Sequence, residues 1–281
     1  MKNLIIFAFI STTLFSCTKS STPQPPTEQD FLLKSFSVSS PVDHTKTVEV
    51  FSYDQNSQLA SLHIYSYDSS QQSPETDSVL IRFTQADAVT PPDVYDISFY
   101  YQGNPTPAES DHHLLFYDNQ NRVILDSISV STSVFTSMHF IYDGNGNTSI
   151  QSLIGDPQTP GSYAMNQIDT MFIPGDNLLT DIGYGTVGGD FIHLVTRTFS
   201  NAVNPIYNDL LSKSLGSLLS FNSLIDFRSK NLPDQFTNQE ANFPTVTLNF
   251  VWTADSAGRV IQGIGTDANS GLVGQLYNFY Y

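Results

Sequence analysis

The sequence predicts an all-β protein, built as a large curved antiparallel sheet or a partly closed barrel of hairpins, with one capping α-helix near 205–220. Two observations predict this fold class. Apolar and polar residues alternate with a period of two along many segments, and aromatic segment ends run directly into turns rich in Asp, Asn and Gly. Such alternation is typical of antiparallel strands with one buried face. The length of 281 residues suits a single large β domain.

The alternation is clearest in four segments. Their apolar residues are Val79, Ile81 and Phe83; Tyr95, Ile97, Phe99 and Tyr101; Ile124, Ile128 and Val130; and Val246, Leu248, Phe250 and Trp252. In each segment these residues are expected to share the buried face of a strand, because side chains two apart point to the same side. Asp126 is a misfit in the third segment.

A recurring local motif predicts the hairpin turns. Its copies are 51–59, 115–123 and 140–147, with looser copies at 99–104 and 252–260. In this motif an aromatic strand ends at Tyr, and the following Asp bonds backbone N–H groups ahead of it. Asn or Gly then adopts a positive φ, and the next strand begins at Val or Leu. The irregular spacing of the copies indicates hairpins and excludes a solenoid period.

One stretch departs from the β pattern. Asn204 is a suitable helix cap and Pro205 suits the first helical position. Leucines at helical spacing follow, at Leu211, Leu215, Leu218 and Leu219. This stretch predicts a helix over about 205–220 that covers one opening of the sheet.

The N-terminus predicts an export signal and a lipid anchor. The apolar run from Leu4 to Phe15 reaches roughly 18 Å as a helix, which is too short to span a bilayer. It ends in Leu14-Phe15-Ser16 directly before Cys17, which resembles a bacterial lipobox. The resemblance implies cleavage before Cys17 and acylation of this residue, so that the membrane is a partner through the lipid. The expected organisation is a signal peptide (1–16), a polar Pro/Ser tether (17–30) and a single β domain (31–281).

The search for chemical sites is mostly negative. A formal net charge of −16 argues against nucleic acid as a partner, and a single cysteine excludes intrachain disulfides and cysteine-rich zinc sites. The segment from Asp143 to Asn147 begins like a calcium loop, but Thr148 and Ile154 stand where that loop needs Gly and Glu. His112 and His113 are expected to point to opposite faces of a strand. No catalytic residue, metal site or cofactor is therefore predicted, and the ligand-binding residues stay unassigned.

Several features occur together in one order: the signal with its cysteine, the Tyr-Asp hairpins, Asn204-Pro205, the stretch 229–233 and the turn ending at 258–260. In this order the chain resembles uncharacterised cell-envelope lipoproteins of Bacteroidetes-type bacteria, which carry Tyr-Asp (YD-like) hairpin repeats and are described as porin-like in fold. The likeness covers about 31–281. It implies a lipid-anchored envelope protein and implies no functional residues.

We therefore expect a lipid-anchored protein of the outer membrane that is non-catalytic and binds a polysaccharide or a partner envelope protein. The acidic pair that some surface lipoproteins carry after the cysteine is absent, which favours the periplasmic face. The alternatives are a glycan-directed hydrolase and an integral outer-membrane β-barrel. The aromatic ending from Gly274 to Tyr281 is typical of outer-membrane barrels, whereas the lipobox and the one-sided strands favour the anchored sheet.

Overall fold

The computed structural model describes residues 32–68, 75–84, 94–101, 104–130, 135–144, 147–155, 163–172, 177–178, 180–185, 189–205 and 229–281. These residues form 16 strands. The strands are β1 (Ser35–Ser40), β2 (Thr45–Tyr53), β3 (Leu59–Asp68), β4 (Glu75–Thr84), β5 (Val94–Tyr101), β6 (Glu109–Tyr117), β7 (Val123–Val130), β8 (Phe135–Tyr142), β9 (Asn147–Gly155), β10 (Tyr163–Phe172), β11 (Thr180–Gly185), β12 (Phe191–Val203), β13 (Asn231–Glu240), β14 (Val246–Ala254), β15 (Val260–Asp267) and β16 (Val273–Tyr280).

The strands form a closed antiparallel barrel in which each strand pairs with the next one along the chain. Closure comes from β1 and β16, whose register runs from Ser35 opposite Tyr280 to Ser39 opposite Leu276. The all-β antiparallel prediction is confirmed, but the barrel is closed rather than partly closed. Closure removes the two free edges that an open meander leaves exposed to other chains.

The apolar face of the wall points into the barrel, and we call this inner space the lumen. Buried apolar residues face one another across the register: Phe36 lies opposite Phe279, Phe51 opposite Leu62, and Leu62 opposite Ile81. These residues belong to one continuous core that runs around the barrel. The sets predicted at Val79, Tyr95 and Val246 lie on the lumen side of their strands, although Tyr101 and Val246, at strand ends, are 44% and 43% exposed.

The set predicted around Ile124 is wrong in part. A β-bulge between Phe116 and Tyr117 shifts the pairing, so that Val123 is buried in the lumen and Ile124 is exposed on the outer face. Asp126 and Ile128 then face inward. A bulge places two residues against one and reverses the alternation on one side of it.

The hairpin predicted between 137–142 and 148–153 is confirmed, since β8 pairs with β9 from Tyr142 opposite Thr148 to Thr136 opposite Ile154. The predicted helix lies outside the described residues apart from Pro205, and the signal peptide and the tether lie outside them as well. Within the described residues, no helix is long and apolar enough to cross a bilayer.

Candidate functional site

The two histidines considered as metal ligands lie on opposite faces of β6. His112 faces outward, and its Nδ1 lies 2.6 Å from Oδ1 of Asp96. His113 faces the lumen and is buried. The alternation of strand side chains therefore separates the two imidazoles, as expected. Among the described residues there is no group of three or more His, Cys, Asp or Glu that could hold a metal ion.

The first candidate site is a polar cluster in the lumen made by Tyr95, His113 and Asp126. The Tyr95 hydroxyl donates to Oδ2 of Asp126 at 2.9 Å, and His113 Nδ1 lies 2.9 Å from the same oxygen. The Tyr95 and His113 rings stack with centroids 4.0 Å apart. Asp126 is completely buried. Asp126, the misfit of the alternating pattern, thus has two hydrogen-bond partners, on the two strands that precede its own.

This cluster holds an imidazole in a fixed orientation, since the carboxylate accepts from Nδ1. In the described part of the chain, the buried Nε2 of His113 has no hydrogen-bond partner. An Asp–His pair of this kind can serve as a general base where a substrate reaches Nε2. Here Leu115 and Ile128, both buried, lie beside the pair in the lumen. The arrangement is therefore that of a polar network enclosed in an apolar core, with Nδ1 of His113 paired and Nε2 unpaired.

A second buried acid, Glu49, lies on β2 and also faces the lumen. It lies opposite Phe36 on one side and Ile64 on the other, and both residues are buried. Burial raises the pKa of Glu49 to about 8, so its carboxyl group is mostly neutral near pH 7. Sequence reasoning missed this residue, although Glu49 precedes Phe51 by two positions and must share its inward face.

On the outer wall, His63, Tyr65, Tyr67 and Tyr100 form a cluster that we call the aromatic strip. The Tyr65 hydroxyl and His63 Nδ1 are 2.8 Å apart, and their rings have centroids 4.0 Å apart. The ring centroids of Tyr67 and Tyr65 are 6.4 Å apart, and those of Tyr100 and His63 are 6.3 Å apart. All four side chains are half-buried. Such rings can stack on a sugar, but here part of each face already contacts a neighbouring ring.

The rest of the outer wall is rich in polar side chains that bond across strands. Gln235 Nε2 donates to Oδ1 of Asn249 at 3.0 Å. The hydroxyls of Thr237 and Thr247 are 3.1 Å apart. Cross-strand polar pairs of this kind stabilise a sheet face that is in contact with water.

The two ends of the barrel differ. One end, the Asp-turn end, carries the turns after β2, β6 and β14, in which Asp54, Asp118 and Asp255 adopt one geometry. In the second turn, Oδ1 of Asp118 accepts from the backbone N–H groups of Gln120 and Arg122 at 2.8 and 3.0 Å. The Arg122 guanidinium lies 2.7 Å from Oδ2 of Asp118. The third turn repeats these contacts between Asp255 and Arg259.

These turns confirm the predicted turn chemistry, with one correction. The residue with positive φ is the third after Asp, and it is Ser57, Asn121 or Gly258. Ser in this position was not expected. Arg259 donates to Asp255 through its side chain and its backbone, and these bonds lower the pKa of Asp255. The carboxylate is therefore held ionised beside its arginine.

The opposite end, the acidic end, carries mostly carboxylates. The described residues there include Asp43, Asp68, Glu109, Asp111, Glu240 and Asp267. Lys46, near the start of β2, also lies at this end.

Two of the predicted sites lie wholly or partly outside the described residues. In the Asp143 turn, Asn145 and Gly146 are outside them, and Cys17 is outside them as well.

No protein-family model and no curated protein matches the chain. Among solved structures, the chain resembles a porin-like protein from Bacteroides uniformis ATCC 8492, with a TM-score of 0.52 and 9% identity over 88% of this chain and 97% of that one. A porin-like protein from Bacteroides vulgatus ATCC 8482 matches with a TM-score of 0.45 and 9% identity over 89% and 98% of the two chains. At this identity the likeness concerns the fold alone, and the fold is a porin-like β-barrel.

Proposed function

We propose that this chain is a β-barrel protein of the bacterial outer membrane. The observation that carries the proposal is the closed antiparallel meander of 16 strands, for which the Bacteroides uniformis protein supplies a porin-like counterpart. This fold supports the integral-barrel alternative better than an open binding sheet. The finer question is how the barrel is held at the membrane.

The chemistry of the wall supports attachment through a lipid. A membrane-spanning barrel has an apolar outer band and a polar lumen. In this barrel the lumen holds buried Phe36, Phe51 and Ile81, while Arg82 and Asp96 lie on the outer wall. One Arg or Lys on a lipid-facing wall costs about 2–4 kcal/mol at the bilayer midplane. We therefore propose that acyl chains on Cys17 hold the barrel at the membrane and that its wall faces water.

Lipid attachment predicts a specific extraction behaviour. Membranes from cells that express the full chain, wild type or Cys17→Ser, are washed with urea at alkaline pH. We expect the wild-type protein to stay in the membrane pellet and the Cys17→Ser protein to be released. A Cys17→Ser protein that resists this wash would support the integral barrel, because a spanning wall is held without the lipid.

For the ligand we propose an envelope polysaccharide, for which the aromatic strip is the supporting observation. Half-buried rings on a sheet surface can contact sugar faces. The hydrolase alternative requires two carboxyls that face a substrate, and the two most buried acids of the lumen, Glu49 and Asp126, are only 5% and 0% exposed. A glycan array with the mature protein tests the proposal: Tyr65→Ala with Tyr100→Ala should lose the signal, and Tyr184→Ala, an exposed tyrosine on β11, should keep it.

A further inference from the structure

We infer that the barrel stands end-on on the bilayer, with the Asp-turn end inserted into the lipid interface. The inference rests on the proposed outer-membrane function and goes beyond it, because it names the surface that meets the lipid. Three features support it: exposed apolar side chains and the distribution of charge among the described residues, and the position of the chain ends relative to the proposed lipid on Cys17.

The first feature is a set of outward-facing apolar side chains near the Asp-turn end, which we call the apolar rim. Their exposed fractions run from 38% to 64%, and each is the last residue of its strand or lies one residue from a strand end. The members are Phe116, Ile124, Ile141, Val203, Ile261 and Tyr280. Exposed apolar groups around a rim indicate a surface that can meet an apolar phase, and the acidic end carries such groups as well, among them Val42 and Tyr101.

The second feature is charge. At the Asp-turn end, Asp118 pairs with Arg122 and Asp255 pairs with Arg259. In each pair a guanidinium nitrogen lies 2.7 Å from Oδ2 of the aspartate, so the charges offset each other. Two further carboxylates, Asp54 and Asp143, lie at this end, and so do Lys34 and Lys230. The acidic end presents its carboxylates without a comparable set of arginines among the described residues. Anionic headgroups therefore repel the acidic end and tolerate the Asp-turn end.

The third feature is the position of the chain ends. β1 begins at Ser35 and β16 ends at Tyr280, and both positions lie at the Asp-turn end. The stretch from Cys17 to Ser35 spans at most about 60 Å when fully extended. An acylated Cys17 thus keeps this end of the barrel within a short distance of the bilayer and raises its effective concentration there.

The acidic end also has exposed apolar residues, and they supply the matched control. Phe243 and Leu272 lie in the hairpin turns after β13 and β15 and are 68% and 62% exposed. Phe243 is more exposed than every member of the apolar rim, and Leu272 is more exposed than all of them except Val203, so exposure alone does not favour the rim. The distribution of charge and the position of the chain ends favour the apolar rim. The experiment must therefore separate insertion of the Asp-turn end from insertion of the acidic end.

The test places a reporter at three heights of the wall. Acylation consumes the only native thiol, so a cysteine introduced into the acylated protein is the single site for an environment-sensitive fluorophore. The three variants are Ile141→Cys on the rim, Asn249→Cys on the middle of the wall and Leu272→Cys at the acidic end. Each labelled protein is reconstituted on vesicles of phosphatidylethanolamine and phosphatidylglycerol.

We expect a blue shift and protection from an aqueous quencher at position 141 alone. Protection at 249 as well would overturn the inference, because the wall would then lie within the bilayer. Protection at 272, or at none of the three positions, would also overturn it. These outcomes are distinct from a failure of lipid anchoring, which mass spectrometry of the purified protein detects as an unmodified Cys17.

A second measurement does not depend on acylation. The Cys17→Ser chain is titrated with the same vesicles, with Phe116→Asp and Ile141→Asp together or with Phe243→Asp and Leu272→Asp together. We expect the first pair to lower vesicle binding at least tenfold, and the second pair to change it less than twofold. Equal losses from both pairs, or a loss from the second pair alone, would contradict end-on insertion of the Asp-turn end.

Discussion

A Cβ atom added to Gly263 would lie 2.1 Å from the ring of Trp252, so the tryptophan occupies the space that a side chain at position 263 would need. Gly263 lies directly opposite Trp252 in the pairing of β14 with β15. The same arrangement recurs two residues further along β15, where Gly265 lies opposite Phe250 and a Cβ on Gly265 would lie 2.7 Å from the Phe250 ring. The two rings stack at 5.5 Å and lie over the glycines in the lumen.

Gly263→Ala should therefore destabilise the barrel. The added methyl group has to displace a ring that is also fixed by a hydrogen bond from Trp252 Nε1 to the Pro233 carbonyl, at 2.6 Å. Overpacking of this kind costs about 1–3 kcal/mol. Urea unfolding followed by Trp252 fluorescence measures the change in the free energy of unfolding.

Gly144→Ala is the matched control for this prediction. A Cβ at position 144 would meet no atom within 4 Å. We expect its free energy of unfolding to stay within about 0.5 kcal/mol of wild type. If both alanines were equally costly, the cause would be the loss of glycine flexibility and not the close approach of the ring.

Asp126→Ala should be among the most destabilising single substitutions in the described part of the chain. It leaves the Tyr95 hydroxyl and His113 without their shared acceptor in a buried cluster. Removing one partner from a buried pair costs about 3–5 kcal/mol. Thermal or urea unfolding measures this loss.

Asp96→Ala tests whether burial is the cause. Asp96 contacts His112 at 2.6 Å, but on the outer wall, where both side chains are almost half exposed. Exposed ion pairs contribute about 0–1 kcal/mol, so this substitution should have a small effect. A loss as large as that of Asp126→Ala would mean that the outer wall is not in contact with water.

Ser57→Gly should stabilise the turn after β2. Ser57 has a φ of 62°, which is strained for a residue with a side chain, whereas Gly258 occupies the same position in the turn after β14. We expect a gain of about 0.5–1 kcal/mol. Asn56→Gly, one residue earlier and outside the positive-φ set, should give no gain. Equal gains in the two variants would place the strain elsewhere.

The strands and turns were predictable because their signals are local. Alternation identifies Phe250 and Trp252 as inward, and Asp118 marks its turn, without knowledge of the rest of the chain. Closure was not predictable, since it depends on Phe36 meeting Phe279 from the other end of the sequence. Asp126 looked like a misfit for the same reason, because its partners lie on neighbouring strands. The acylation of Cys17 stays a prediction, as do the helix at 205–220 and the ligand.

Glu49 should make the stability of the barrel depend on pH. In the folded protein burial raises its pKa to about 8, whereas the unfolded value is near the ordinary 4.5. Between these two values the folded state binds more protons than the unfolded state, so the free energy of unfolding falls as the pH rises. The fall approaches about 1.4 kcal/mol per pH unit within this window, and the contribution of Glu49 is constant below and above it.

The measurement is a series of urea unfolding curves from pH 4.5 to pH 8.5 for wild type, Glu49→Gln and Glu109→Gln. Glu49→Gln removes the titrating group and keeps a similar shape, so its stability should decline less steeply than that of wild type and exceed it at pH 8. Glu109 is an exposed carboxylate at the acidic end, and Glu109→Gln should leave the steep decline unchanged. If wild type and Glu49→Gln declined in parallel, the carboxyl of Glu49 would be ionised in the folded barrel, and water or a cation would have to reach it in the lumen.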